Sequence, residues 1–146
     1  MGAAAGVAND LDGRGIGVGD FNADGRLDFY QSNARQNSLL YLGATANAGH
    51  WLELRLVGTK ANRNAIGARV YVRAGGETWM RELNGGNGYS SQSTFRLHFG
   101  LGALDRVDEV EIRWPGGATE LLKTVNGRPP IAIDAISTIV ESKGVQ

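Results

Sequence analysis

Oxygen-bearing side chains recur at alternate positions in one short stretch of the chain, from Asp20 to Asp28. Counted from Asp20, oxygen donors fall at positions one, three, five, seven and nine: the side chains of Asp20, Asn22, Asp24 and Asp28, with the backbone carbonyl of Arg26 at position seven. Gly25 occupies position six, where the chain must turn sharply. Ca²⁺ takes about 6–8 oxygen ligands at about 2.3–2.6 Å, which this spacing can supply. The stretch therefore predicts a calcium loop, with Ca²⁺ as its cofactor.

The flanking residues distinguish this loop from an EF-hand. An EF-hand carries a bidentate Glu at position twelve and lies between two helices. Position twelve here is Gln31, and both flanks read as strands. A metal-free hairpin turn is the alternative, because Asp-Gly and Asn-rich loops commonly form such turns. Three carboxylates within nine residues favour the cation, since without it they repel one another.

Composition argues against several classes of function. The 146 residues include 15 basic and 15 acidic side chains, so the formal net charge is zero. A nucleic-acid binder that neutralises phosphates is therefore not expected, and no apolar run approaches the ~20 residues of a membrane span. The absence of cysteine excludes disulfides and zinc–thiolate sites. A weak oxygen-ligand loop suits millimolar calcium, so we expect an extracellular or periplasmic location.

Short segments of alternating hydrophobicity follow the loop and predict the elements that hold it. From His50 onward, apolar residues alternate with polar ones in segments separated by turn signals every 8–12 residues. Roughly seven strands in about 95 residues are typical of an antiparallel β-sandwich, so the fold class is predicted to be all-β. The parity of its strand places Trp114 in the core. Residues 134–140 are also compatible with a short helix, because Ile136, Ile139 and Val140 have helical spacing.

Several separate motifs in order carry a resemblance to a known family. The motifs are HWL from His50, NRNAIGARV from Asn62, GGNGYSSQ from Gly85, LHFGLG from Leu97 and VEIRWPGG from Val110. On these motifs, residues 50–133 resemble the ASPIC/UnbV domain, and residues 15–42 resemble the FG-GAP/VCBS calcium repeat. We accordingly divide the chain into a partial repeat at 1–43 and an ASPIC/UnbV-like sandwich at 50–140.

The resemblance implies a fold and a setting. Proteins of this architecture, bacterial members among them, are typically secreted and join a propeller of calcium repeats to a transthyretin- or immunoglobulin-like β-sandwich. The repeat's ligand set carries over to the five loop positions named above, and the ASPIC/UnbV domain has no established catalytic residues to carry over. One repeat makes about half a propeller blade and cannot bury its apolar face alone. The chain is therefore expected either to be a fragment or to pack this half-blade against something else.

Five residues outside the loop are candidates for a ligand surface: Trp51, Arg63, Arg69, Tyr89 and His98. Tryptophan can stack on sugars, although core packing is its more common role. The two arginines flank Gly67 and either pair with acidic residues such as Glu82 or form an anion-binding patch. Catalysis by His98 with a neighbouring serine, or by the carboxylates of Glu109 and Glu111, is the alternative chemistry.

These observations favour a protein that is not an enzyme. We expect a secreted, calcium-stabilised β module for adhesion, assembly or recognition, whose partner is an extracellular protein, a glycan or further copies of the chain. Two alternatives stay open at this point. One is a self-assembling fibre or surface-layer subunit, and the other is a small glycan or ester hydrolase.

Overall fold

The computed structural model of the protein describes residues 5–46 and 49–146, and within these the regular elements are all β-strands. The first four residues of the predicted repeat lie outside the described part. Eleven strands follow in chain order: β1 Gly13–Gly19, β2 Asp28–Asn33, β3 Leu39–Tyr41, β4 His50–Val57, β5 Arg69–Ala74, β6 Glu77–Glu82, β7 Arg96–Gly102, β8 Glu109–Arg113, β9 Thr119–Lys123, β10 Ala135–Val140 and β11 Gly144–Val145. The prediction of an all-β fold is confirmed. The strands belong to two compact units.

The first unit consists of Met1–Thr45 and a later segment, Gly86–Thr94. Its sheet is antiparallel, in the order β1-β2-β3. Residues 29–31 of β2 pair with β3, and the rings of the paired Phe29 and Tyr41 stack with centroids 4.5 Å apart. The loop from Asp20 joins β1 to β2, so the prediction that strands flank it is confirmed.

Alternate glycines in β1 let the segment Gly86–Thr94 approach the strand closely. A β-carbon added to Gly15 would lie 3.1 Å from the Tyr89 carbonyl oxygen, and one added to Gly19 would lie 3.1 Å from Thr94 Cβ. The Thr94 amide donates a hydrogen bond to the Val18 carbonyl at 3.0 Å. These approaches explain the glycines at positions 15, 17 and 19, because a larger side chain there would meet backbone or Cβ atoms.

The second unit consists of Ala46–Gly85 and Phe95–Gln146 and contains two four-stranded sheets. One sheet has the order β11-β10-β4-β7 and the other the order β6-β5-β8-β9. Most neighbours are antiparallel, but β10 pairs with β4 in parallel. The helical alternative for residues 134–140 is therefore wrong: Ile136 pairs with Glu53 and Ile139 with Leu56 in a strand.

Apolar side chains from both sheets of the second unit form one cluster, as in a β-sandwich. Period-two alternation places one face of β4, β5, β7 and β8 in this cluster, and Trp114 is buried in it as predicted. The cluster comprises Leu52, Leu54, Leu56, Ala65, Ala68, Val70, Val72, Leu83, Leu97, Phe99, Leu101, Val107, Val110, Ile112, Trp114, Ile131 and Ile139. The unit has eight strands where the sequence predicts roughly seven, and the last two are β10 and the short β11, which returns antiparallel to β10.

Candidate functional site

Asp20 follows the last residue of β1, and its carboxylate is the point around which the loop turns. The side chain is fully buried. Its Oδ1 accepts a hydrogen bond from the Asp24 amide at 3.1 Å, and its Oδ2 accepts one from the Gly25 amide at 2.7 Å. Gly25 has a φ of +83°, which glycine adopts at no steric cost. Position one and position six of the predicted loop are thus joined directly.

Asp28, the first residue of β2, accepts hydrogen bonds from two separate backbone segments. Only 1% of its surface is exposed. Oδ2 accepts a hydrogen bond from the Phe21 amide and Oδ1 accepts one from the Gly43 amide, each at 2.8 Å. The same carboxylate therefore holds the start of the loop and the chain that leaves β3. Charged acceptors for backbone N–H groups make stronger bonds than neutral ones.

Asn22 and Asp24 lie further out, and their side chains are directed at the loop itself. Asp24 Oδ1 accepts a hydrogen bond from the Arg26 amide at 2.9 Å, and Oδ2 accepts one from Asn22 Nδ2 at 2.7 Å. The Arg26 guanidinium forms an ion pair with the same carboxylate at 2.5 Å. The backbone N–H of Arg26, followed by Asn22 and the Arg26 charge, lowers the pKa of Asp24 despite partial desolvation. Asp24 is therefore ionised at neutral pH.

The chemical types of the donor atoms suit a hard cation, but their present positions do not surround one. Every predicted ligand atom is an oxygen, and two of the carboxylates are already fixed by backbone N–H groups. In residues 5–46 and 49–146, however, no three acidic or histidine side chains lie close enough together to hold a metal ion. Asp24 is turned towards Arg26, so it would have to leave that guanidinium to join Asp20 and Asp28 around a cation.

The five candidates for a ligand surface do not form one site in the described structure. Trp51 and His98, on β4 and β7, stack with centroids 6.1 Å apart and an interplanar angle of 5°. Arg69 pairs with Glu82 at 2.6 Å on the other sheet, which is the structural role considered for it above. Arg63 lies in the loop between β4 and β5, and Tyr89 belongs to the first unit and is 71% exposed.

The carboxylates considered for glycoside hydrolysis are engaged in an ion-pair network on β5 and β8. The Arg73 guanidinium pairs with both Glu109 and Glu111, and Arg113 pairs with Glu111 at 2.7 Å. Hydrogen bonds from Arg73 and then Arg113 lower the pKa of Glu111. A general acid working near neutral pH needs a raised pKa, so Glu111 is shifted in the opposite direction.

Glu141, for which the sequence alone predicts no role, accepts hydrogen bonds from three successive backbone N–H groups. It is buried, and its Oε2 accepts hydrogen bonds from the amides of Thr59, Lys60 and Ala61 at 2.8, 2.7 and 2.9 Å. The Ala61 N–H is the largest cause of its lowered pKa. The carboxylate ties the end of β10 to the loop after β4. The sequence around Thr59 gives no signal for this interaction, because the carboxylate lies about eighty residues further along the chain.

Comparison with known proteins agrees with the motifs. The family model described as ASPIC and UnbV matches residues 58–143. Cartilage acidic protein 1 from Xenopus tropicalis is 35% identical over 119 residues, and the mouse and human proteins of that name are each 34% identical over 119 residues. The alignments cover 77% of this chain but 18% of each relative.

Most of the match lies on the second unit, and the matched range also contains the segment Gly86–Thr94 of the first unit. It begins at Gly58, at the end of β4, and reaches past β10 and the Glu141 carboxylate. The resemblance of residues 15–42 to the FG-GAP/VCBS repeat stays a prediction, because the matched range begins after them. The family model spans more than half of the chain, and the chain belongs to the ASPIC and UnbV family.

Proposed function

We propose that the protein is a calcium-binding β module of an extracellular protein, with a role in adhesion, assembly or recognition. The observation that carries the calcium part is the pair of buried carboxylates, Asp20 and Asp28, at the first and last positions of a loop rich in oxygen donors. Buried ionised groups are costly unless they are paired or coordinate a metal. Backbone N–H groups donate to both oxygens of each carboxylate and hold it in place.

The calcium would be held by the side chains of Asp20, Asn22, Asp24 and Asp28 and by the Arg26 carbonyl. Its role would be structural: it would supply positive charge to a loop that carries three carboxylates and would favour the folded loop over the unfolded one. The hydrogen bonds of Asp20 and Asp28 fix the loop backbone without a cation. Less conformational entropy would therefore be lost when calcium binds.

The extracellular setting is supported by two observations. The relatives are named for cartilage, a tissue rich in extracellular matrix. Weak oxygen-ligand calcium sites also suit the millimolar calcium outside cells. Within the described residues, no helix has the length and hydropathy needed to cross a membrane. Since the chain spans less than a fifth of those relatives, the activity and partners of the whole protein are part of this proposal.

The role in assembly is supported by apolar side chains that the first unit leaves in solvent. Leu27, Leu40 and Leu42 are 47%, 54% and 55% exposed. Large exposed apolar groups that lie together mark surfaces for association. The partner would be an extracellular protein or a second copy of the chain, and sedimentation velocity over a range of concentrations distinguishes the two.

Calorimetric titration with CaCl₂ tests the calcium proposal through two variants with opposite expected effects. Asp24→Asn removes one ligand charge without touching the backbone bonds of Asp20 and Asp28, so binding should weaken at least tenfold with the fold intact. Arg26→Gln removes the competing guanidinium and keeps the carbonyl, so binding should tighten. Calcium at a hundred times its Kd should stabilise the parent by about 2.7 kcal/mol.

Asp10→Asn is the matched control, because Asp10 is an exposed aspartate of the first unit outside the loop. It should bind calcium as the parent does. Absence of calcium-dependent heat in the parent, together with an unchanged melting temperature, would contradict the proposal. Equal weakening of calcium binding in Asp10→Asn and Asp24→Asn would mean that overall negative charge, rather than the loop, attracts the ion.

A further inference from the structure

Two arginines of the second unit, Arg55 and Arg63, line the same small cavity. Arg55 lies on β4, and Arg63 lies in the loop that leads to β5. The cavity has a volume of about 90 Å³. Its walls are formed by Arg55, Leu56, Val57, Arg63, Asn64 and Phe95. None of these described residues is acidic, so the cavity presents two positive charges, one amide and an apolar wall.

Several other arginines of the second unit are charge-paired. Arg69, Arg73, Arg96, Arg106 and Arg113 each form an ion pair with a carboxylate, and Arg81 on β6 lies over the Phe99 ring instead. Within residues 5–46 and 49–146, neither Arg55 nor Arg63 has an ion pair. Two unpaired guanidinium groups on one cavity repel each other and attract an anion.

The register of β4 and β7 explains why Arg55 lacks a carboxylate. Arg55 is directly opposite Arg96 in the antiparallel pair, and like charges in that position are unfavourable. The nearest carboxylate along the same side of β4 is Glu53, which is buried and lies 2.9 Å from the Arg96 guanidinium. Arg96 is thus paired with Glu53, which lies two residues before Arg55 on β4, whereas the charge of Arg55 is left for another group.

Arg63 is held in place by a tightly hydrogen-bonded loop. The Gly58 amide donates to the Arg63 carbonyl at 3.1 Å, and the Ala65 amide donates to the Asn62 carbonyl at 2.8 Å. The Asn62 side chain also bonds both backbone groups of Ile66, each at 2.9 Å. A fixed backbone lowers the entropy lost when the guanidinium orders around a ligand.

We propose that this cavity binds one oxyanion group, a sulfate or a carboxylate, between the guanidinium groups of Arg55 and Arg63. Guanidinium groups bind such oxyanions through charge-assisted, often bidentate hydrogen bonds. A volume of about 90 Å³ is several times the ~10–15 Å³ that one water requires, so a group of four or five atoms fits. Asn64 can donate an N–H to the anion, and Phe95 offers an apolar wall to the molecule that carries it.

The site goes beyond the proposed calcium function and is tested separately from it. The ¹⁵N-labelled protein is titrated with sodium sulfate and, in parallel, with sodium acetate, at constant ionic strength and without chelator, since chelators are themselves oxyanions. NMR follows the side-chain Nε–Hε signals of the arginines. Saturable shifts of Arg55 and Arg63 are expected with at least one of the two anions. The anion that binds more tightly, sulfate or acetate, shows whether the site prefers a tetrahedral or a planar oxyanion.

Three variants with the same change of charge locate the binding. Arg55→Gln and Arg63→Gln should each weaken binding by about tenfold or more, because each removes charged hydrogen bonds. Arg128→Gln, at another exposed arginine of the second unit, should bind as the parent does. Far-UV circular dichroism checks that the variants are folded.

The proposal is overturned by any of three results. One is the absence of a saturable shift in the parent with either anion. The second is parental affinity in Arg55→Gln or Arg63→Gln, since either result removes one of the two guanidinium groups from the site. The third is equal weakening in Arg128→Gln, which would reduce the effect to screening of the net charge.

Discussion

The two units bury different kinds of residue, although both are made of β-strands. In the second unit, the buried side chains are mostly apolar and form one cluster between two sheets. In the described part of the first unit, the buried residues carry no apolar side chain. They are three glycines and two aspartates: Gly15, Gly19, Gly25, Asp20 and Asp28.

This difference shows that strands can be held in two ways. The second unit gains its stability from apolar area removed from water, at roughly 25 cal/mol per Å². The first unit relies on backbone pairing, on close approach at glycine and on N–H groups bound by two carboxylates. The stability of the first unit should therefore respond to changes of charge and to added side-chain volume, and that of the second unit to the loss of apolar volume.

The largest expected effect is the loss of apolar volume in the second unit. Phe99 is fully buried on β7, so Phe99→Ala should lower the free energy of unfolding by about 3–5 kcal/mol. Urea denaturation followed by circular dichroism measures the change. Leu121→Ala, at a residue that is 48% exposed on β9, is the matched control and should change stability by less than about 1 kcal/mol. Equal effects of the two substitutions would contradict the picture of a single apolar core.

An intermediate effect is expected from volume added to the first unit. Gly15→Val places a side chain where Cβ alone would lie 3.0 Å from Ser32 Oγ and 3.1 Å from Ser91 Cβ. Overpacking of this kind costs typically about 1–3 kcal/mol. Hydrogen exchange should locate the effect, because the Thr94 amide, bonded to the Val18 carbonyl, should exchange faster.

Gly100→Val is the matched control for added volume. Gly100 lies in a strand of the second unit, and nothing lies within 4 Å of the position that its Cβ would occupy. That substitution should leave stability unchanged or slightly raised, because valine favours strands. Parental exchange of Thr94 in Gly15→Val would show that the segment Gly86–Thr94 does not depend on the glycines of β1.

The sequence predicts the local features of both units well, because alternation and turn residues are themselves local. The all-β class, the strands flanking the loop and the burial of Trp114 follow from such patterns. The repeated glycines of β1 are visible in the sequence as well. The reason for these glycines is not visible in the sequence, because it is the close approach of a segment about seventy residues further along the chain.

Features that depend on distant partners could not be predicted in the same way. The spacing of Ile136, Ile139 and Val140 fits a helix, and only parallel pairing with β4 makes the segment a strand. Arg63 and Arg69 both flank Gly67 in the sequence, yet Arg69 pairs with Glu82 and Arg63 shares its cavity with Arg55. Pairing of this kind is set by the register of strands, which the sequence around each residue does not contain.

The smallest expected effect concerns charge within the second unit. In Glu141→Gln, the amide oxygen can still accept from Thr59, Lys60 and Ala61, but the negative charge is lost. The melting temperature at pH 7 should fall by a few degrees. Glu77→Gln makes the same charge change at an exposed residue, so its melting temperature should match the parent's.

The pH dependence of this effect has a definite sign. The backbone N–H groups lower the pKa of Glu141 below its usual 4.5 in the folded state, so folding favours the ionised form. Its contribution to stability is therefore fully present above about pH 4.5 and is lost as the pH falls through the lowered pKa. The difference in melting temperature between the parent and Glu141→Gln should narrow below pH 4.5. If the two melting temperatures differ by the same amount from neutral to acidic pH, the shape of the Glu141 side chain, rather than its charge, accounts for its stabilising effect.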